Sequence, residues 1–289
     1  MRIDVAIAHA TERLSAVSES PRLDAEILLG RSIDMPRSYL LAHPEDELDD
    51  ATRSRFEEVL KRREDGVPMA YITGIREFWS HEFAVSPATL VPRPETEMLV
   101  DLALSEIPRD ATWQVLDLGT GSGAIAVSIA CERPLCEITG VDISEDALAV
   151  ARENARAHAS GNVIFECGSW TAPVRGRTFD LVVSNPPYVR NDDEALAALE
   201  HEPQSALAAG DDGLDAIRVI AADCPDVLVA GGLLAIEHGF DQADEVRSLL
   251  ESRGWTDVRC HNDLAGLPRV TAARRSGKQA HLYFTGETQ

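Results

Sequence analysis

Apolar residues in the first 66 positions recur every three or four residues, which is the spacing of an amphipathic helix. This spacing marks three segments, at Ile3, Ile7, Ala10 and Leu14, at Arg22–Gly30 and at Leu48–Arg63. Ser20 and Pro21 stand where a helix prefers its N-cap and its first residue. The pattern predicts a small N-terminal helical domain over residues 1–66.

After Gly66-Val67-Pro68 the pattern changes to alternation of apolar and polar residues. Alternation around a polar break predicts two paired strands, Tyr71–Trp79 and His81–Val85. We interpret residues 67–93 as a β-hairpin linker.

Strand-like and helix-like segments alternate through the rest of the chain. Pro94 and the acidic residues after it predict a first helix, Glu95–Ser105, because proline and carboxylates favour the first turn of a helix. The predicted strands are Gln114–Leu118, Glu137–Val141, Val163–Cys167, Phe179–Val183, Leu233–Ile236, Thr256–Cys260 and His281–Thr285. The predicted helices between them are Gly123–Glu132, Glu145–Ala159, Leu214–Val229 and Gln242–Arg253. This alternation predicts an α/β domain over residues 94–289, with an open, mostly parallel sheet between two helical layers.

Ligands of such sheets bind outside the carboxyl ends of the strands, where the strand order reverses. Four features of the sequence fall at predicted strand ends. They are the loop Asp117–Gly123, Asp142, Gly168–Trp170 and Asn185, which opens the turn Asn185–Tyr188. We therefore expect one ligand site at this edge, where the first and fourth strands of the domain part.

The glycine loop, Gly119-Thr120-Gly121-Ser122-Gly123, lets the backbone turn sharply and approach a ligand closely. Asp142 follows 23 positions after Gly119, where a carboxylate can accept hydrogen bonds from both hydroxyls of a ribose. The spacing GxGxG differs from the dinucleotide fingerprint GxGxxG. It favours S-adenosylmethionine, which has a ribose and an adenine but no phosphates.

Three side chains near this loop have two interpretations each. Trp170 either lies against an adenine or is a half-buried edge residue. Asp142 either binds a ribose or caps the helix that opens at Ser144. Asp117 either anchors the glycine loop or contacts the amino group of the cofactor.

The turn Asn185-Pro186-Pro187-Tyr188 ends a strand, because consecutive prolines remove N–H donors and fix φ. The side-chain oxygen of Asn185 and the carbonyl of Pro186 are two acceptors, which suit a planar –NH2 group with two donors. The Tyr188 ring gives that group a face to pack on. The turn predicts a site that holds an amino or amide nitrogen for attack on an electrophile. The simpler interpretation is a proline-terminated strand end.

Composition and charge narrow the class of protein. The 289 residues are 44% hydrophobic and 26% charged, as in soluble globular proteins. A net charge of −22 opposes a polyanionic substrate, so we expect no direct nucleic-acid partner. No apolar run approaches the roughly 18 residues of a membrane span, and we expect a cytoplasmic protein without a membrane partner. The five scattered cysteines include no CxxC pair, and no metal site is indicated.

Several runs of sequence resemble those of the release factor glutamine methyltransferases, the PrmC/HemK family. The longest is Val85–Glu97, which is more specific than the glycine loop or the Asn-Pro-Pro-Tyr turn alone. The other runs are Asp24–Leu29, Pro68–Gly74, Glu77–Trp79, Asp117–Gly123, Asn185–Tyr188 and Glu237–Gly239. The resemblance covers nearly the whole chain.

The resemblance implies a class I (Rossmann-like) methyltransferase sheet with a small N-terminal helical domain and a β-hairpin linker. It implies methylation of the side-chain amide of the glutamine in the Gly-Gly-Gln motif of peptide chain release factors, which supports translation termination. S-adenosylmethionine is the implied donor and S-adenosylhomocysteine the product. The implied cofactor contacts are Gly119, Thr120, Gly121, Ser122, Gly123, Asp142, Trp170 and Asn185. The implied glutamine contacts are Asn185, Pro186, Pro187 and Tyr188, of which Asn185, Pro186 and Tyr188 are catalytic.

Two positions depart from the family pattern. His201 stands where an aromatic residue is common, and Ser169 stands where an acid is frequent. Both departures concern the rim of the cofactor and substrate pockets.

Two other functions fit the same residues. An adenine flipped out of nucleic acid presents an amino group of the same geometry, and methyl incorporation into DNA or RNA would identify it. A cofactor-binding scaffold would act through its helical domain, and its function would survive substitution of Asn185.

Overall fold

The computed structural model describes residues 1–277 of the chain. The chain divides into two compact units. The first comprises Met1–Arg76 and Val85–Pro87, and the second comprises Glu77–Ala84 and the residues from Ala88 onward. The assignment of residues 67–93 to a linker stays a prediction. The strand predicted at His281–Thr285 lies outside the described residues.

The first unit is helical, as its apolar spacing predicts. Its helices are α1 (Ile3–Leu14), α2 (Pro21–Ile33), α3 (Arg37–Ala42), α4 (Asp50–Glu64) and α5 (Met69–Thr73). The side chains that fill its core are Ile3, Ala6, Ala10, Leu14, Ala25, Leu28, Leu29, Leu40, Leu48, Phe56 and Leu60. Helix α4 begins after Asp49, whose carboxylate accepts the N–H of Thr52 at 2.7 Å. Burial of apolar side chains accounts for this core, and side-chain capping adds to it at α4.

Two short strands, β1 (Ile75–Phe78) and β2 (His81–Ala84), form a two-stranded sheet. Trp79 and Ser80 join them with φ of 52° and 59°, the positive values that a tight hairpin turn requires. The predicted hairpin is present, but its first strand is shorter than expected. Residues 69–73 form α5 instead, which ends at Gly74 in the left-handed conformation.

The second unit is built on a sheet. Its strands are β3 (Gln114–Leu118), β4 (Glu137–Asp142), β5 (Val163–Cys167), β6 (Phe179–Ser184), β7 (Leu228–Glu237), β8 (Thr256–Asn262) and β9 (Pro268–Arg274). Among residues 1–277 these seven strands lie in the order β5-β4-β3-β6-β7-β9-β8. The pairs from β5 to β7 are parallel, and β9 runs antiparallel to β7 and β8. The predicted open, mostly parallel sheet is confirmed.

The helices of this unit are α6 (Glu97–Glu106), α7 (Ala124–Glu132), α8 (Glu145–Ala157), α9 (Ala195–Ala198), α10 (Asp215–Asp223) and α11 (Ala243–Ser252). Neighbouring residues of β3 belong to separate cores, because successive side chains of a strand point to opposite faces. Val115 packs in one core with the apolar residues of α6 and α7. Leu116 packs in the other core with those of α10 and α11. Both faces of the sheet are therefore covered.

Two predictions in the C-terminal part of the sheet are wrong or incomplete. The helix predicted over Leu214–Val229 ends at Asp223, a short 3₁₀ turn follows, and β7 already begins at Leu228. Pro225 lies in that turn, since it lacks the N–H that would continue a helix. Strand β9 was not predicted, because its four central residues are all buried and show no alternation.

One buried side chain connects β2 to the glycine loop. The Asn154 Oδ1 accepts the N–H of Ala84 at 2.7 Å. Its Nδ2 donates to the carbonyls of Ala84 at 3.0 Å and Ser122 at 2.8 Å. Asn154 on α8 is only 1% exposed, so water cannot replace these bonds.

We expect Asn154→Ala to lower the free energy of unfolding of the second unit by about 2–3 kcal/mol, because buried backbone groups lose their partner. Urea unfolding followed by tryptophan fluorescence measures this, since all four tryptophans, at positions 79, 113, 170 and 255, belong to this unit. Asn262→Ala, at an exposed position ending β8, is the control and should change stability by less than about 0.5 kcal/mol. Equal unfolding midpoints for the two variants would contradict the assigned role.

Candidate active site

A cavity of about 410 Å³ opens at the carboxyl ends of β3, β4 and β6. Its size is typical of small-molecule sites. The candidate residues that line it are Gly119, Thr120, Gly121, Ser122, Asp142, Trp170, Asn185 and Pro187. The fold thus brings the glycine loop, the acid and the proline turn to one cavity, although they are spread over nearly 70 positions of the chain. Gly123, Pro186 and Tyr188 are not among its lining residues.

The backbone conformation of the loop explains why two of its positions are glycine. Gly119 has φ of 74°, and a side chain there would strain this left-handed backbone. The N–H groups of Gly119 and Thr120 both donate to the carbonyl of Val141, at 2.8 and 3.0 Å. Gly123 precedes α7 with φ of 79°, and a Cβ there would lie 3.1 Å from the Ala151 Cβ. Gly119 therefore shapes the cavity, whereas Gly123 allows close packing between α7 and α8.

The Asp142 carboxylate lies at the end of β4 and faces the loop. Its Oδ2 accepts the N–H of Gly121 at 2.9 Å, and its Oδ1 accepts the N–H of Ser144 at 2.9 Å. Ser144 is itself the N-cap of α8 and accepts the N–H of Ala147 at 3.2 Å. Each carboxylate oxygen has a second lone pair, so Asp142 can still accept two hydroxyl groups from a ligand. It both holds the loop and borders the cavity.

Asp117 lies beneath the loop and is completely buried. Its Oδ2 accepts the Thr120 hydroxyl at 2.6 Å, which anchors the glycine loop from below. Burial raises the pKa of the Asp117 carboxyl to about 7, because the charged form loses its hydration. Its Oδ1 has no hydrogen-bond partner among the described residues. Asp117 is not among the residues that line the cavity.

The Asn185 carboxamide lies on the cavity wall and is held by a residue distant in sequence. Its Nδ2 donates to the Thr96 Oγ1 at 3.0 Å. Thr96 ends the 3₁₀ turn Pro94–Thr96, is 4% exposed and also lines the cavity. Sequence reasoning marked the run Val85–Glu97 but gave Thr96 no role. The hydroxyl directly after Pro94-Glu95 is the signal that it overlooked.

Tyr188 follows the prolines and is held by two hydrogen bonds, one at its hydroxyl and one at its main-chain carbonyl. Its hydroxyl donates to the Glu237 Oε1 at 3.3 Å, and its carbonyl accepts the Gln242 Nε2 at 3.1 Å. Glu237 ends β7 and is 1% exposed, and burial raises the pKa of its carboxyl to about 7. Burial and this neighbouring carboxylate raise the pKa of Tyr188. The tyrosine is therefore a neutral, rigid ring.

An ion pair between a buried glutamate and a half-buried arginine holds another part of the cavity wall. Glu202 is 4% exposed and accepts the Arg93 Nη2 at 2.6 Å and the N–H of Val91 at 3.0 Å. Arg93 and Pro203 both line the cavity. Two positions depart from the family pattern. Ser169 is exposed and lines the cavity, and His201 stands directly before Glu202 in the chain.

Within residues 1–277, no three histidine, cysteine, aspartate or glutamate side chains are grouped as metal ligands would be. Over those residues no helix has the length and apolar character needed to cross a membrane.

Both parts of the chain are similar to known protein families. The model of the PrmC N-terminal domain matches residues 6–74, and a methyltransferase domain model matches residues 109–262. A methyltransferase from Pyrococcus furiosus shares the fold, with a TM-score of 0.51 and 17% identity over 67% of this chain and 88% of its own.

Three relatives are each named release factor glutamine methyltransferase. The Coxiella burnetii protein is 43% identical over 95% of this chain and 99% of its own. The Vibrio cholerae protein is 46% identical over 93% of this chain and 95% of its own. The Escherichia coli protein is 43% identical over 93% of this chain and 97% of its own. With such identity over almost its full length, this chain belongs to the release factor glutamine methyltransferase family.

Proposed function

We propose that this chain transfers a methyl group from S-adenosylmethionine to the side-chain amide nitrogen of the glutamine in the Gly-Gly-Gln motif of peptide chain release factors. Family membership supports the reaction. The observation that carries it is that Asn185 borders the same cavity as the glycine loop and Asp142. Because release factors work in translation, we assign the protein to the cytoplasm.

The residues of the cavity suit S-adenosylmethionine. The Asp142 carboxylate has free lone pairs for the two ribose hydroxyls. The left-handed Gly119 leaves the first turn of the loop without a side chain, so a ligand can approach the backbone. The Trp170 ring lies 3.8 Å from the point where a Gly119 Cβ would stand, and its face suits an adenine. When bound, this cofactor supplies a methyl group on a positively charged sulfur.

The turn 185–188 binds the amide that receives the methyl group. The Asn185 Oδ1 and the Pro186 carbonyl each accept one hydrogen of the glutamine –NH2, and Tyr188 packs on its plane. An amide nitrogen is a poor nucleophile, because its lone pair is delocalised into the carbonyl. Two acceptors that hold both hydrogens out of the amide plane make this lone pair more available.

Orientation of the glutamine nitrogen toward the methyl group supplies the rest of the rate acceleration. Holding the nitrogen within reach of the methyl carbon replaces a bimolecular encounter with a positioned one, which can contribute several kcal/mol. The methylated nitrogen is strongly acidic while it is positive. Its proton can leave to water, so no histidine is required as a base.

Mass spectrometry gives the direct test. The purified chain is incubated with S-adenosylmethionine and a release factor, and the Gly-Gly-Gln peptide is examined for the mass of one added methyl group on glutamine. A release factor with Gln→Ala in that motif, adenine-rich DNA and RNA are parallel substrates. Methylation of nucleic acid but not of the glutamine would overturn the proposal.

We expect Asn185→Ala to lower turnover by about 100-fold or more, because one of the two groups that hold the reacting nitrogen is lost. The Kd for S-adenosylmethionine, measured by calorimetry, should stay within about threefold. The control is Asn191→Ala, an exposed position six residues on, which should turn over normally. Near-normal turnover of Asn185→Ala would refute the role of this side chain.

We expect Asp142→Ala to raise the Kd for S-adenosylmethionine by about 10- to 100-fold, because hydrogen bonds to a charged acceptor are lost. Asp244→Ala removes the same charge from the first turn of α11 and should leave this Kd unchanged. Thermal unfolding of both variants separates lost binding from lost folding. An unchanged Kd in a folded Asp142→Ala protein would exclude the ribose contact.

A further inference from the structure

We infer that Thr96 is a positioning residue that fixes which way round the Asn185 carboxamide points. The inference rests on the proposed function, because it concerns the atom of Asn185 that meets the substrate amide. The sequence pattern assigned Thr96 no role.

A carboxamide has two ends of nearly the same shape and opposite hydrogen-bonding character. One end is an acceptor oxygen, and the other is an –NH2 group with two donors. Only the oxygen can hold a substrate –NH2. Rotation of the Asn185 amide by a half-turn would present donors to donors, and the site would repel the nitrogen that it has to hold.

The Thr96 hydroxyl resolves this ambiguity because it has a single proton. Thr96 lies within hydrogen-bonding reach of the Glu237 carboxyl, which can only accept when it is ionised. With Glu237 ionised, the Thr96 proton points to Glu237, and the hydroxyl has only lone pairs left for Asn185. The Asn185 group that faces Thr96 must then be its –NH2, as the 3.0 Å contact from Nδ2 shows. Its oxygen remains for the cavity.

Burial raises the pKa of Glu237 to about 7, and three of its polar neighbours favour the ionised form against this effect. Two hydroxyls donate to its carboxylate, those of Thr96 and Tyr188. The charge of Arg269 attracts the carboxylate, and that of Glu95 repels it. Its Oε2 is buried and has no hydrogen-bond partner within residues 1–277. Such a partly compensated buried carboxylate is costly to keep, which makes a purely structural role a poor explanation.

The test compares three substitutions of Thr96. Thr96→Val removes the hydroxyl and keeps the volume of the side chain, and Thr96→Ala removes both. Thr96→Ser keeps the hydroxyl. We expect turnover to fall about 10- to 100-fold in the Val and Ala variants and to stay within about threefold in the Ser variant. The Kd for S-adenosylmethionine should change little in all three. The control is Thr139→Val, at a threonine that is also buried, being 1% exposed, but lies on β4 away from the cavity lining.

A double-mutant cycle shows whether Thr96 acts through Asn185. If it does, adding Thr96→Val to Asn185→Ala lowers the residual turnover no further, because no carboxamide is left to orient. Wild-type turnover in a folded Thr96→Val or Thr96→Ala protein would overturn the inference. The inference would also be overturned if Thr96→Val lowered the turnover of Asn185→Ala by as much as it lowers that of the wild type. Failure of the wild-type chain to methylate a release factor would instead refute the proposed function.

Discussion

The parallel pairing of β3 with both β4 and β6 is the constraint on which the site depends. β3 lies between these strands in register, with Leu118 beside Val141 on one side and Ser184 on the other. Parallel strands end at the same edge, so the three loops that follow them emerge side by side. The glycine loop, Asp142 and Asn185 meet there although their segments lie far apart in the sequence.

Buried polar groups then hold these loops in place from behind. Asp117 anchors the glycine loop through Thr120, and Asn154 holds its far end through the Ser122 carbonyl. Glu237 plays the corresponding part behind the proline turn, through Tyr188. Burial raises the pKa of both the Asp117 and Glu237 carboxyls to about 7. These buried side chains bond to groups of the loops rather than to water, which restrains the loops that border the cavity.

Local pattern predicted the central sheet well and its C-terminal part poorly. Strands β3 and β5 begin and end where predicted, because polar or glycine residues bound their apolar runs. The start of β7 was placed five residues late, since Gly231 and Gly232 interrupt its apolar pattern. Sequence also indicated Asn185, Asp142 and the glycine loop as site residues. It could not reveal the contact between Asn185 and Thr96, which spans 89 positions and depends on the tertiary fold.

The fixed direction of the Asn185 carboxamide bears on how many times one glutamine can react. A primary amide offers two N–H groups to the two acceptors of the turn, but an amide that already has a methyl group offers only one. One acceptor would then face a methyl group, and the modified side chain would bind less well than the unmodified one. Such a pocket favours release after a single transfer, and a dimethylated glutamine in the product would show that it does not.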